Sequence, residues 1–191
     1  MTETQTKLLE AAIRTFVQYG VRKATMLDIA EEAAVSRPTL YASYRSKDEI
    51  LGACIRFMAE ASLEKAKKAW DKVDALDRKL DVYFENTVIP AFDLLQSSPS
   101  SDDLISGHNA AGKAAILESR INARNALIDV LAPFESQIEY SGQSVSQFAH
   151  FVVITAQGMK YTAGSKEELL DLLASLKAAV LSVTGGEFRR A

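Results

Sequence analysis

The sequence predicts an all-α protein, with three short helices at the N-terminus followed by longer helical segments, about nine helices in total. Three observations carry this. Apolar residues recur at three- and four-residue spacing through almost every segment. Two of these segments open on Thr or Ser with an acidic side chain three residues on, which is the pattern that satisfies the free amides of a helix start. No alternating strand pattern, internal repeat or low-complexity tract interrupts them.

Of the 191 residues 48% are hydrophobic, enough for a sizeable core. No apolar run reaches the 18 to 20 residues needed for a membrane span, and MTETQTKLLEAA lacks the basic-then-apolar order of a signal peptide. The expected location is cytoplasmic, with no membrane partner. The one cysteine, Cys54, excludes an internal disulfide or cysteine-cluster metal site and reads as a small apolar residue on a helix face.

The first helix is expected over about Gln5–Tyr19, with Leu9, Ala12, Ile13, Phe16 and Val17 on one face, Tyr19 sharing it, and Gly20 as the stop. Thr25 with Asp28 forms a capping-box pattern and starts a second helix carrying Ile29, Ala30 and Ala33. Ala34-Val35 ends it. Ser36 caps a third helix from about Arg37, with Pro38 in the first turn, where its missing N–H costs little. Leu40 points inward, leaving Arg37, Thr39, Tyr41 and Tyr44 for other faces. Ser46 with Glu49 gives a second capping box, and a long helix follows from Lys47 to about Trp70.

Further on, a helix over about Ala75–Leu95 contains Pro90, which removes the bond to the Asn86 carbonyl and predicts a bend there. SSPSSDD at 97–103 is a turn-rich loop, and Gly107-His108-Asn109 with Gly112 predicts a second loosening before a helix from about Lys113 to Leu131. The last two helices are expected over Ser144–Thr162 and Lys166–Val183, joined by Gly164-Ser165, with a frayed tail.

Helix, tight turn and helix, with the second helix's first turn turned outward, is the geometry that lays a helix in the DNA major groove. The net charge of −3 argues against a broad basic surface. The 22–47 stretch is nevertheless locally positive, with Arg22, Lys23, Arg37, Arg45 and Lys47 against Asp28, Glu31 and Glu32. Its wording is more specific than its spacing. Thr25–Ala30, Ala33–Ser36, Thr39–Tyr41 and Tyr44–Lys47 resemble the T-x-x-D-I-A start, A-G-V-S turn, T-L-Y helix and aromatic-x-S-K junction of the tetracycline-repressor (TetR) family. The resemblance covers about the first 60 residues. Ala34 replaces the family's turn glycine, at about 1 kcal/mol if φ is positive.

The resemblance implies a DNA-binding domain over 1–47 and a ligand-binding and dimerisation domain over 48–191. It implies a sequence-specific regulator, a repressor released from a palindromic double-stranded operator by a small hydrophobic or aromatic effector. The alternative is a DNA-binding interaction protein of the same fold that senses no small molecule. Ser36, Arg37, Pro38 and Thr39 are the implied base-reading positions, and Thr25, Tyr41, Tyr44 and Lys47 the implied phosphate clamps. The expected effector pocket is walled by Phe57, Ala61, Tyr83, Asn86, Pro90, Arg120, Arg124 and Phe151.

A palindromic reader is a homodimer. Two apolar seams are expected to form its interface: Phe148, Val152, Ala156 and Met159, and Leu169, Leu172, Leu173, Leu176, Val180 and Val183, with Gly158 permitting close approach. Catalysis is not expected. His108 and His150 lie far apart, with no phosphate loop, nucleophile elbow or metal motif, so neither cofactor nor metal is called for. His108 reads either as a pocket residue or as an exposed loop histidine, and His150 as a core or interface residue. Gln157 and Tyr161 join Tyr83, Asn86, Arg120 and Arg124 as polar groups on otherwise apolar helices.

Overall fold

The computed structural model describes residues 1–97, Leu104, Gly107 and 109–185. Most of the loop expected at 97–103, His108 and the tail from residue 186 lie outside them. Among the described residues every regular element is helical: α1 (Glu3–Tyr19), α2 (Met26–Glu32), α3 (Arg37–Ser43), α4 (Lys47–Trp70), α5 (Leu76–Tyr83), a π-helical turn (Phe84–Val88), α6 (Ile89–Ser97), α7 (Ala110–Leu131), a 3-10 turn (Ala132–Phe134), α8 (Glu135–Tyr140), α9 (Val145–Thr162) and α10 (Lys166–Thr184). No helix among them is long and apolar enough to cross a membrane.

The chain forms two compact units, one of residues 1–60 and 94–119, the other of 61–93 and 120–191. The packing units therefore do not part at residue 47, since α4 and α7 each contribute residues to both.

In the first unit α1 begins at a Thr2–Gln5 capping box and stops at Gly20, whose φ of 79° is open to glycine. Its start is thus two residues earlier than the apolar stripe alone predicts. Leu8, Leu9, Ala12 and Phe16 pack with Ile29, Ala30, Leu40, Ile50, Leu51 and Cys54 into one core. Tyr19 departs from the expected apolar face and is exposed, one position past the last inward turn. Cys54 donates to the Leu9 carbonyl across 3.7 Å, and burial pushes its thiol well up, which keeps it inert. Where a loosening was expected, Gly107 and Gly112 approach each other closely. A Cβ on Gly112 would stand 2.9 Å from the Gly107 Cα and 3.2 Å from Ile55 Cδ1, so only glycine allows the approach. Asn109 opens α7 three residues earlier than expected, accepting from the Gly112 amide at 2.8 Å and donating to Asp48 at 2.7 Å.

The second unit is built on Leu80, Tyr83, Phe84, Val88 and Phe92, on Leu127 and Leu131, and on the inward faces of α9 and α10. The bend attributed to Pro90 lies a turn earlier, as the π turn in which the Ile89 amide reaches the Phe84 carbonyl. Asn86 Nδ2 donates to the Val82 carbonyl at 2.8 Å and the Thr87 hydroxyl to the Tyr83 carbonyl at 2.6 Å, so side chains take up backbone acceptors in the disturbed ladder.

This core also corrects the dimer seams. Phe148, Val152, Ala156, Leu169, Leu173, Leu176 and Val180 are buried within the protomer. Met159, Leu172 and Val183 are partly buried against them. A side chain already removed from water has little area left to contribute to an interface. The apolar groups that α9 and α10 leave outside are Phe151, Ile154, Tyr161 and Leu170, between 38% and 47% exposed.

Candidate nucleic-acid interface

The turn between α2 and α3 forms as a Schellman motif. The Val35 amide donates to the Ala30 carbonyl and the Ala34 amide to the Glu31 carbonyl, both at 3.0 Å. This requires a left-handed residue, and Ala34 takes it with φ of 51°, the one non-glycine positive φ among the described residues. Val35 packs partly against the core, which fixes the angle at which the chain enters α3.

Ser36 then caps α3, its Oγ accepting from the Thr39 amide at 3.3 Å and lying 2.8 Å from the Thr39 hydroxyl. Leu40, fully buried, anchors the helix. With that one residue inward, Ser36, Arg37, Pro38, Thr39 and Tyr41 are all exposed. No carboxylate among the described residues holds the Arg37 guanidinium, so its five donors remain available. By contrast Arg14 is held by Glu32 at 2.7 Å, which also neutralises an acid near the motif.

The four expected phosphate clamps divide. Tyr41 is exposed, as such a role needs, whereas Tyr44 is 8% exposed and packs in the core; burial, then the nearby Cys54 and Glu49, pushes its phenol upward. Thr25 is exposed and caps α2, with Asp28 accepting both its amide at 2.8 Å and its hydroxyl at 2.9 Å. Lys47 departs most from expectation. Its ammonium donates to the carbonyls of Arg22 at 3.1 Å and Ala24 at 2.9 Å, tying the loop before α2 to the start of α4. A cation at a helix N-terminus is otherwise disfavoured by the helix dipole, and the two carbonyls, with Asp48 and Glu49 in the same turn, offset that. The capping box expected at Ser46 and Glu49 forms only by half: the Ser46 hydroxyl accepts from the Glu49 amide, but Glu49 Oε2 accepts from the Arg45 amide at 2.7 Å.

The expected effector residues are only partly brought together. Ala61, Pro90 and Phe151 are exposed, and Phe57 packs partly against the first unit's core. Tyr83 is buried in the second unit, with Gln157 and Thr87 beside its hydroxyl, and Arg120 Nε points to Gln157 Oε1 at 3.4 Å. Lys160, across from Arg120, went unread in sequence because a lysine in the last turn of a helix looks like an ordinary solvated cation. His150 is exposed and is not a core residue. Among the described residues no three His, Cys, Asp or Glu converge as a metal site would need.

Two short capped helices around a left-handed turn, the second presenting its first turn to solvent, define a helix-turn-helix segment. Residues 8–54 match the family model described as bacterial regulatory proteins, tetR family. Over 91 residues the chain is 35% identical to the HTH-type transcriptional regulator TtgR of Pseudomonas putida, a match covering 46% of this chain and 43% of that one. The chain thus spans less than half the length of this curated relative. A longer match, 27% identical over 175 residues, covers 88% of this chain and 86% of an uncharacterized HTH-type transcriptional regulator of Mycobacterium bovis. Among solved structures, a transcriptional regulator from Rhodococcus sp. Rha1 superposes with a TM-score of 0.71 at 17% identity, over 95% of this chain and 97% of that chain. That likeness is one of fold: all-α, with the helix-turn-helix at the N-terminus.

Proposed function

We propose that this protein is a cytoplasmic, sequence-specific transcriptional regulator, a repressor that binds a palindromic operator as a homodimer and leaves it when a small molecule binds the second unit. Its relatives regulate transcription and are not enzymes, and the same reading is taken for this chain. The observation that carries it is the exposed first turn of α3, with Arg37 unpaired beside Pro38 and Thr39. An arginine fork fits the O6 and N7 acceptors of guanine, and the proline ring suits a thymine methyl. Tyr41, exposed on α3, suits a phosphate contact, which positions the helix without reading sequence, whereas the Thr25 hydroxyl donates to Asp28. Selecting bound sequences from a random DNA pool tests this. The wild type should enrich a palindrome, and Arg37→Ala should lose about 1 to 3 kcal/mol and relax one base pair in each half-site. An unchanged sequence preference in that variant would remove Arg37 from the readout.

A second reading, the same protein with no effector, is favoured by one observation: Tyr83 and Phe92 are fully buried in the second unit's core. Operator affinity unmoved across a broad hydrophobic and anionic library would make that the better reading.

A further inference from the structure

The second unit gathers hydrogen-bond donors that lack an acceptor. Arg120 on α7 has only the long 3.4 Å contact to Gln157. One turn on, Arg124 Nε is sealed from solvent with no partner, and its Nη2 is 3.4 Å from Asn125. Lys160 on α9 lies over the Tyr161 ring at 5.0 Å and faces the Arg120 charge. Among the described residues no carboxylate pairs with any of the three. This is local to the cluster, because elsewhere in the same unit Lys166 holds Asp93 at 2.8 Å and Lys177 holds Asp81 at 2.7 Å. The Tyr83 hydroxyl, fully buried between these helices, also has no partner of bonding geometry, although Gln157 and Thr87 stand beside it. Thr87 has turned its proton to the Tyr83 carbonyl.

An enclosed polar group without a partner is destabilising, and two cations facing each other add to that. Guanidinium and ammonium are donors only, while the phenol and the Gln157 amide can donate as well as accept, so what the cluster lacks is an acceptor carrying negative charge. The rest of the surroundings is apolar, with Phe84, Ala123, Leu127 and Ala156 in the same core. The π turn begins at the residue after Tyr83, an irregularity that recurs at functional sites.

We propose that the second unit binds an organic carboxylate with an apolar body, its anionic end held by Arg120, Lys160 and the Tyr83 hydroxyl, with Gln157 turned to donate. This rests on the effector reading above and names the effector's class. A bound carboxylate would replace the long 3.4 Å Arg120–Gln157 contact, and it would act on DNA binding only by preferring one arrangement of the protein over another. A side chain from a second copy does not meet the need, because Tyr83 is enclosed within its own protomer.

The test uses the full chain with octanoate, benzoate and phenylacetate as probes, against octanamide, benzamide and sodium sulfate at matched ionic strength. Thermal melting and titration calorimetry should show at least one carboxylate raising Tm and binding tenfold or more tighter than its amide. Lys160→Met should lose that preference while still binding the neutral analogue as the wild type does. Tyr83→Phe, which keeps the ring and removes the unpartnered hydroxyl, should lose severalfold in affinity and fold normally. Equal binding of acid and amide, no carboxylate binding at millimolar concentration, or an unchanged acid preference in Lys160→Met would overturn the proposal. Operator binding is measured separately. Carboxylate binding without operator release would uphold this site and remove the effector reading; release by neutral compounds alone would do the reverse.

Discussion

At the scale of single residues, two positions carry conformational or electrostatic cost. Ala34 holds a left-handed φ of 51° because the Schellman bonds demand it, and a Cβ there costs about 1 kcal/mol relative to glycine. Ala34→Gly should therefore stabilise the protein slightly, by up to about 0.5 kcal/mol once the unfolded chain's added freedom is subtracted. Urea unfolding should show a raised midpoint at constant slope. Lys160 is the second. Burial first, and the Arg120 charge second, lower its pKa from 10.5 to about 8. Between these values the unfolded chain holds a proton that the folded one has released, so this group's contribution to stability rises with pH across that window. Tyr83 works oppositely, its phenol pushed by burial from 10.0 up to about 12, but only above the unfolded value. Melting at pH 7.5 and 9.5 should thus show Lys160→Met more stable than wild type at the lower pH, with the gap narrowing at the higher. A constant gap would place the ammonium in water.

At the scale of elements, the helices on either side of the helix-turn-helix turn are held by bonds that reach between segments. Lys47 joins the Arg22 and Ala24 carbonyls to the start of α4, and so fixes the loop from which α2 and its Thr25 cap emerge. Lys47→Met keeps the stem and removes the donors, leaving two carbonyls to solvent. It should cost about 1 to 2 kcal/mol of stability and weaken DNA binding through displacement of α2. A pure phosphate contact would give a different result: unchanged urea unfolding, with the salt dependence of binding reduced by about one unit. Measuring both on one variant separates the two roles.

At the scale of the whole molecule, palindromic reading requires two copies, and the residues available to join them are those the protomer leaves uncovered. On α9, Phe151, Ile154, Gly158 and Tyr161 recur at three- and four-residue spacing on the exposed side, and nothing within 4 Å would meet a Cβ on Gly158. Ile154→Glu should leave the protomer folded but shift it to a monomer of low operator affinity. Leu176→Glu, 4% exposed, should instead unfold the second unit, by burying an unpaired charge. Sedimentation together with thermal melting distinguishes them. A wild type that is monomeric at micromolar concentration would refute the dimer and the palindrome together.

The sequence by itself determined what depends on neighbours along the chain. Caps, the left-handed turn at Ala34, Pro38 in the first turn of α3 and the apolar stripes are set within about four residues, so the helix order and the helix-turn-helix segment were legible from them. Only the tertiary structure decided which side of an apolar helix meets the core. α9 and α10 carry hydrophobic groups around much of their circumference, and periodicity cannot choose between two apolar faces; packing put Val152 and Leu176 inside and Phe151 and Leu170 outside. Pairings distant in sequence were hidden for the same reason. Lys47 with Arg22 and Ala24, Asn109 with Asp48, and Tyr83 with Gln157, Arg120 and Lys160 exist because folded helices bring them together, and no local pattern encodes that geometry.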